Sequence, residues 1–227
     1  MDAKISDPFV HKLHIDRYSP FQETCFLDAD CLVVGDLGPV WDELRTRSFV
    51  VTFSETFSEG QWFMDIAAMC ERFGLTGIPK FNGGLYAFRR GSADSVFALA
   101  REAEANYEAW GMELIRGHPN DEPCFALGLA RSGTVVPTGD GSLMSSTIGL
   151  RGELGIDVLK STASFNKFGR VVSPRVVHFA GTAEGLTYAR EQTKLALAEK
   201  SVPDAITRRV APFVARATRV WRRTFSR

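Results

Sequence analysis

Phe26-Leu27-Asp28-Ala29-Asp30-Cys31-Leu32-Val33-Val34 is an apolar run interrupted by two acids. Its length and branched side chains predict one buried strand over Phe26–Val34. In an extended segment, residues two apart point to one face, so the reading places the Asp28 and Asp30 carboxylates side by side. Two like charges between apolar flanks need a cation between them or a hydrogen-bond network around them. Carboxylate oxygens suit hard divalent cations such as Mg²⁺ and Mn²⁺. An Asp-x-Asp pair also arises where one acid caps a turn and the other is solvated. The apolar residues on both sides favour the cation.

Working outward, strand and helix patterns alternate. Ser58 to Phe73 is predicted as a helix, with Ser58 as cap, Trp62, Ile66, Met69 and Phe73 on one face, and Gly74 as terminator. Gly84–Phe88 is a strand candidate. Ser92 to Trp110 is a helix capped by Ser92 and ended at Gly111, and Pro123 to Arg131 is another. Val135-Val136 opens a short strand, Val176–Phe179 forms a further one, and Ala183 to Lys200 is helical. This interleaving predicts an α/β fold with a mixed or parallel sheet flanked by helices. In such sheets ligands bind beyond the carboxyl ends of the strands. Asp28/Asp30, Asn82–Gly84 and His178 all sit at such ends.

Each of these clusters has an ordinary reading and a functional one. His178, at the end of Val-Val-His-Phe, is a satisfied core histidine or a third metal ligand; one imidazole beside two carboxylates shifts preference toward Mn²⁺. Asn82-Gly83-Gly84 is a tight turn or a loop whose backbone approaches a ligand closely. In Asn120-Asp121-Glu122-Pro123, Asn120 is a helix cap and the two acids favour the helix dipole. Functionally, one of those carboxylates would instead bind a polar substrate.

The 227 residues are enough to bury a core without disulfides or metal. Lys+Arg and Asp+Glu both number 27. That balance excludes a general nucleic-acid binder, but it conceals a segregation. Residues 203–227 carry seven Arg and one acid, a charge of +6, and the preceding residues carry −6. Within the tail, Ile206, Val210, Phe213, Val214, Ala217, Trp221 and Phe225 form one apolar stripe at helical spacing, with Pro212 interrupting it. Such a helix either lies on an anionic membrane or packs on the body with its Arg face solvated. Residues 1–202 are therefore expected as the main domain and 203–227 as a basic amphipathic helix. The four cysteines have neither disulfide-framework nor zinc spacing, and no apolar leader or 18-residue apolar run is found. The expected location is cytoplasmic, with peripheral contact at the inner membrane face as the tail's alternative.

Phe-Leu-Asp-Ala-Asp-Cys-Leu-Val followed by Gly-Asp-Leu, then Phe-Asn-Gly-Gly-Leu-Tyr-Ala-Phe, then Asn-Asp-Glu-Pro, then Val-Val-His-Phe-Ala-Gly resembles glycosyltransferase family 8, the glycogenin-like group with the GT-A fold. The motifs span about Tyr18 to Gly181 in family order. The resemblance implies a nucleotide-sugar donor, usually a UDP-hexose, held through Mn²⁺ or Mg²⁺, and a saccharide, lipid or protein acceptor. It implies Asp28, Asp30 and His178 as metal ligands. Asn82, Gly83, Gly84, Asn120, Asp121 and Gly181 become donor-site residues, and Asp121 and Glu122 the acids nearest the chemistry. Transfer in this family retains anomeric configuration. Three departures stand out. No lysine follows the histidine motif, leaving Arg190 or Lys194 to replace it. Glu122 stands where Gln is common. Only 27 residues precede Asp28, too few for the usual strand–helix–strand unit, so the expectation is an N-terminally truncated member, one that binds the donor differently, or an inactive one.

Phe26–Val34 also resembles the first motif of haloacid dehalogenase-type phosphatases, where Asp28 would be nucleophile and Asp30 general acid/base. Those enzymes need a later acidic pair, which neither Gly35-Asp36 nor Gly139-Asp140 completes. A non-catalytic nucleotide-sugar-binding protein is the third alternative.

Overall fold

The run from Phe26 to Val34 is not one strand. Strand β1 spans Glu23–Leu27 and strand β2 spans Cys31–Val33. Between them the chain turns, the Cys31 amide donating to the Asp28 carbonyl at 2.9 Å. The two acids explain the break, because a continuous buried strand would desolvate both carboxylates with nothing to compensate them. A computed structural model of the chain describes residues 11–51, 55–136, 139–180 and 185–225, with only the backbone described at Val51 and over 217–225. The chain forms two compact units. One comprises Met1–Phe26 and Pro39–Gly139, the other Leu27–Gly38 and Asp140–Arg227.

In the first unit, β1 joins β6 (Leu85–Arg89) and β3 (Phe49–Val51) in the order β1-β6-β3, and β4 (Glu55–Phe57) pairs antiparallel with β5 (Ile78–Lys80). The helices are α1 (Ile15–Tyr18), α2 (Gly38–Thr46), α3 (Ile66–Phe73), α4 (Asp94–Ala105) and α5 (Asp121–Arg131). Phe49, Tyr86, Phe88, Phe97 and Phe125 interlock at ring separations of 4.8–6.5 Å and are fully buried, each worth about 3–5 kcal/mol against truncation to Ala.

Two helix starts differ from the sequence reading. α3 begins at Ile66, where Asp65 accepts a hydrogen bond from the Ala68 amide, and not at Ser58. Gly60 (φ 100) and Phe63 (φ 52) adopt left-handed backbone that a helix cannot pass through. Gly74 (φ 64) ends α3 as expected. α4 runs Asp94–Ala105 without a side-chain cap; Asp94 instead accepts from the Gly91 amide. Val135-Val136 is not a strand.

The second unit holds a three-stranded mixed sheet in the order β2-β11-β7. β11 (Val176–His178) runs antiparallel to β2 and parallel to β7 (Met144–Ser146). Beside it in sequence is an antiparallel ribbon of β8 (Leu150–Asp157), β9 (Thr162–Lys167) and β10 (Arg170–Val172). Helices α6 (Leu186–Glu199) and α7 (Asp204–Phe225) complete the unit. The mixed α/β class is thus as expected, with the strands divided among several small sheets. Tyr188 of α6 joins a core of Leu32, Val34, Val177 and Phe179.

A buried charge network holds the two helices. Glu191, fully buried, takes Lys194 at 2.9 Å, Arg190 at 2.8 Å and the Val158 amide at 3.2 Å. Asp157 receives Lys194 and Arg208. Burial alone would raise the Asp157 pKa, but the Arg208 hydrogen bond and the Lys194 charge outweigh it and hold the carboxyl below its usual value.

Candidate functional site

The turn after β1 and the end of β11 build one cluster in the second unit. His178 is registered opposite Cys31 and is buried. Its Nε2 lies 3.2 Å from Asp30 Oδ1 and 3.7 Å from Asp28 Oδ2. The three predicted ligands therefore do converge, though through a turn and not through strand alternation.

The turn is braced from behind. The Tyr188 hydroxyl donates to the Ala29 carbonyl at 2.7 Å, and Gln192 Nε2 donates to that hydroxyl at 2.7 Å. The Phe179 amide donates to the Asp30 carbonyl at 3.0 Å, and the Phe179 ring packs edge-on against Tyr188 at 4.8 Å. These contacts fix the backbone between the two acids, leaving their side chains partly exposed.

Two carboxylates and one imidazole are a donor set that fits a divalent cation such as Mn²⁺ or Mg²⁺. The structure adds a residue the sequence reading took for an ordinary thiol: donor atoms of Asp30, Cys31 and His178 all lie within 4.8 Å of one another. A thiol at this edge brings softer metals into competition.

Beside His178 on the parallel strand is Ser146. Lys167 Nζ donates to its hydroxyl at 2.8 Å and to its carbonyl at 3.1 Å. Among the described residues Lys167 makes no ion pair, and burial pulls its pKa below the usual lysine value. Lys167 is thus a half-buried cation one strand from the carboxylate–histidine cluster. Arg190 and Lys194, the cations the sequence offered in place of the missing lysine, are both committed to Glu191. Gly181 lies outside the described residues. Asp36 and Asp140, the acids of the two Gly-Asp pairs, accept from the Gly38 and Ser142 amides within their own turns.

The remaining predicted residues form a second cluster, in the first unit. Asn120 caps α5, its Oδ1 accepting from the Glu122 amide at 2.8 Å. Glu122 Oε1 accepts from the Gly83 amide at 2.8 Å, and Asn82 Oδ1 from the Gly84 amide at 3.0 Å. A Cβ on Gly83 would stand 2.8 Å from Asp121 Oδ2 and 3.1 Å from Glu122 Cγ. Close approach to the acids, and not left-handed backbone, is what requires glycine at 83. Asp121 is only 3% exposed, with Lys12 Nζ 3.3 Å from its Oδ2. Lys12 also lies 5.4 Å over the Phe26 ring. Nothing in the local sequence around Lys12 marks it, because its partner is more than a hundred positions away.

No disulfide joins the cysteines. Cys70 and Cys124 are buried, and burial pushes the Cys25 thiol up to about 11. Burial likewise pushes the Cys70 and Cys124 thiols up, which disfavours the thiolate at all three.

No family profile matches the chain, and no curated protein matches it in sequence. Among solved structures it is similar to the galactosyltransferase LgtC in complex with donor and acceptor sugar analogues, at 20% identity and a TM-score of 0.46, over 76% of this chain and 58% of that one. It is also similar to an active-site Gln-to-Glu variant of LgtC, at 18% identity and a TM-score of 0.44, over 75% of this chain and 57% of that one. The chain thus spans under two thirds of the length of either.

Proposed function

We propose that the protein is a metal-dependent glycosyltransferase of the GT-A type, moving a hexosyl group from a nucleotide-sugar donor, a UDP-sugar by its motifs, to an acceptor hydroxyl with retention of configuration. The observation that carries this reading is the convergence of Asp28 and Asp30 on His178 Nε2 at the end of the mixed sheet. These three residues would hold Mn²⁺ or Mg²⁺. The metal, when bound, would neutralise charge developing on a departing nucleoside diphosphate.

The chain's own residues supply the rest. Lys167, held by Ser146 beside His178, contributes a fixed positive charge at the phosphates. Asn82, Gly83 and Gly84 would line the donor sugar, in a loop held by the Gly83 amide on Glu122 and the Gly84 amide on Asn82. Asp121 and Glu122 carry the polar role around that sugar, their positions set by Lys12 and the Gly83 amide. Holding donor and acceptor in reacting geometry is the main demand of such a transfer.

Calorimetry with UDP and Mn²⁺ tests the reading. The expected result is Mn²⁺-dependent UDP binding by the wild type and none by the Asp28→Ala/Asp30→Ala double variant. Wild-type-like binding by the variant overturns the metal assignment, and absence of UDP binding by a folded wild type overturns the donor.

A further inference from the structure

Helix α7 leaves its bulky apolar face uncovered. The side chains it buries are small: Thr207, Ala211 and Ala215 are 0–1% exposed. Ile206, Val210, Phe213 and Val214 remain 51%, 37%, 71% and 40% exposed. At about 100° per residue these four fall within roughly 100° of one another, next to the buried sector. Arg209 and Arg216, both exposed, border the stripe on its other side, beside Phe213. Arg208 faces the body, where it pairs with Asp157 and ties the helix down. The helix thus has three sectors: a small-residue sector packed inward, an apolar sector facing out and a basic sector beside it.

We propose that this outer face of α7 seats the protein on an anionic lipid surface, with Ile206, Val210, Phe213 and Val214 entering the acyl boundary and Arg209 and Arg216 at the headgroups. Charge chooses the occupant. Residues 203–227 carry +6, whereas the rest of the chain carries −6. A negative surface is expected to draw this basic helix in preference to the net acidic remainder of the chain. A large bare apolar stripe edged with arginine is the pattern of helices that lie in the interface plane. No helix among the described residues is long and apolar enough to cross a membrane. Ala217, Trp221 and Phe225, which continue the stripe in sequence, lie outside the described side chains. This inference is independent of the proposed glycosyl transfer.

Co-sedimentation of the full chain with phosphatidylcholine vesicles, with and without phosphatidylglycerol, tests it. Partition is expected to be strong on the phosphatidylglycerol vesicles and to weaken as salt rises. Val210→Ser/Phe213→Ser should lower it about tenfold or more. Arg209→Glu/Arg216→Glu should lower it about tenfold or more on anionic vesicles only. Both variants should keep the wild-type thermal midpoint, because the four positions are exposed. Failure to partition, or partition unaffected by either variant, overturns the proposal. So does light scattering that reveals a dimer which Val210→Ser/Phe213→Ser dissolves, since a second copy would then be the occupant.

Discussion

Asp30→Asn is the most direct probe of the carboxylate–histidine cluster. Asn keeps the size of the side chain and removes one charge from the carboxylate closer to His178, at 3.2 Å. A divalent cation in contact with a carboxylate gains about 4 kcal/mol even with bulk-water screening. Losing that gain weakens binding several-hundredfold. At a Mn²⁺ concentration about 100 times the wild-type dissociation constant, binding stabilises the native state by about 2.7 kcal/mol. For a chain of this size that raises the thermal midpoint by about 5–11 °C. In Asp30→Asn the same Mn²⁺ concentration falls below the new dissociation constant, and the rise should shrink to under about 1 °C. Without metal the variant should melt within about 2 °C of wild type, because the Asp30 side chain is 24% exposed and touches solvent. Circular dichroism melts of chelator-treated protein, with and without Mn²⁺, read both quantities. An undiminished Mn²⁺ shift in Asp30→Asn refutes the assignment of Asp30 as a ligand.

Four further outcomes are expected. Gly83→Ala drives a methyl into Asp121 and Glu122 and should cost about 1–3 kcal/mol in denaturant unfolding. Lys12→Met removes the cation 3.3 Å from the buried Asp121 carboxylate and should lower stability in denaturant unfolding, with Lys12→Met/Asp121→Asn recovering most of the loss. The Asp157 pKa is depressed in the folded state, so its stabilisation is present above the unfolded value of about 3.9 and lost as pH falls through the folded one. Wild-type stability should accordingly fall across that acid window, and Asp157→Asn should flatten the profile there in denaturant melts taken at a series of pH values. Lys167→Met should weaken UDP binding in the presence of Mn²⁺ by roughly ten- to hundredfold while leaving the Mn²⁺ thermal shift in place, which calorimetry and melts separate.

The parts of the site legible in the sequence are those where chemistry conflicts with its immediate neighbours. Asp28 and Asp30 stand out because Leu27 and Leu32–Val34 surround them with apolar side chains, and His178 stands out at the end of Val176-Val177. Their convergence was legible, but its geometry was not. The run reads as one strand because periodicity registers apolar residues and is blind to the cost of pairing two carboxylates into a ladder. That cost breaks the run into β1, a turn and β2. Lys12 and Lys167 were illegible for a different reason. Each looks like any surface lysine locally, and each acquires meaning only from a partner brought up by long-range folding: Asp121 for one, Ser146 beside His178 for the other. Cys31 was hidden in plain view, since its alignment with His178 depends on the antiparallel register of β2 and β11.

Helix α7 carries the same lesson further, because there the pattern was right and its ordinary meaning was not. Apolar spacing correctly gives a helix with Ile206, Val210, Phe213 and Val214 on one side, and the usual inference docks that side on the core. The structure docks the neighbouring side, through Thr207, Ala211 and Ala215. Small side chains let the helix axis come close, and close approach is what allows Arg208 to reach Asp157 beside Lys194 and Glu191. Docking through the bulky stripe would hold the axis farther out and leave Asp157 with Lys194 alone. The charge network and the small-residue face thus go together, and the large apolar residues remain outside. A face left bare in this way still exposes its apolar area to water, and the arginines beside it determine which surface can relieve that exposure.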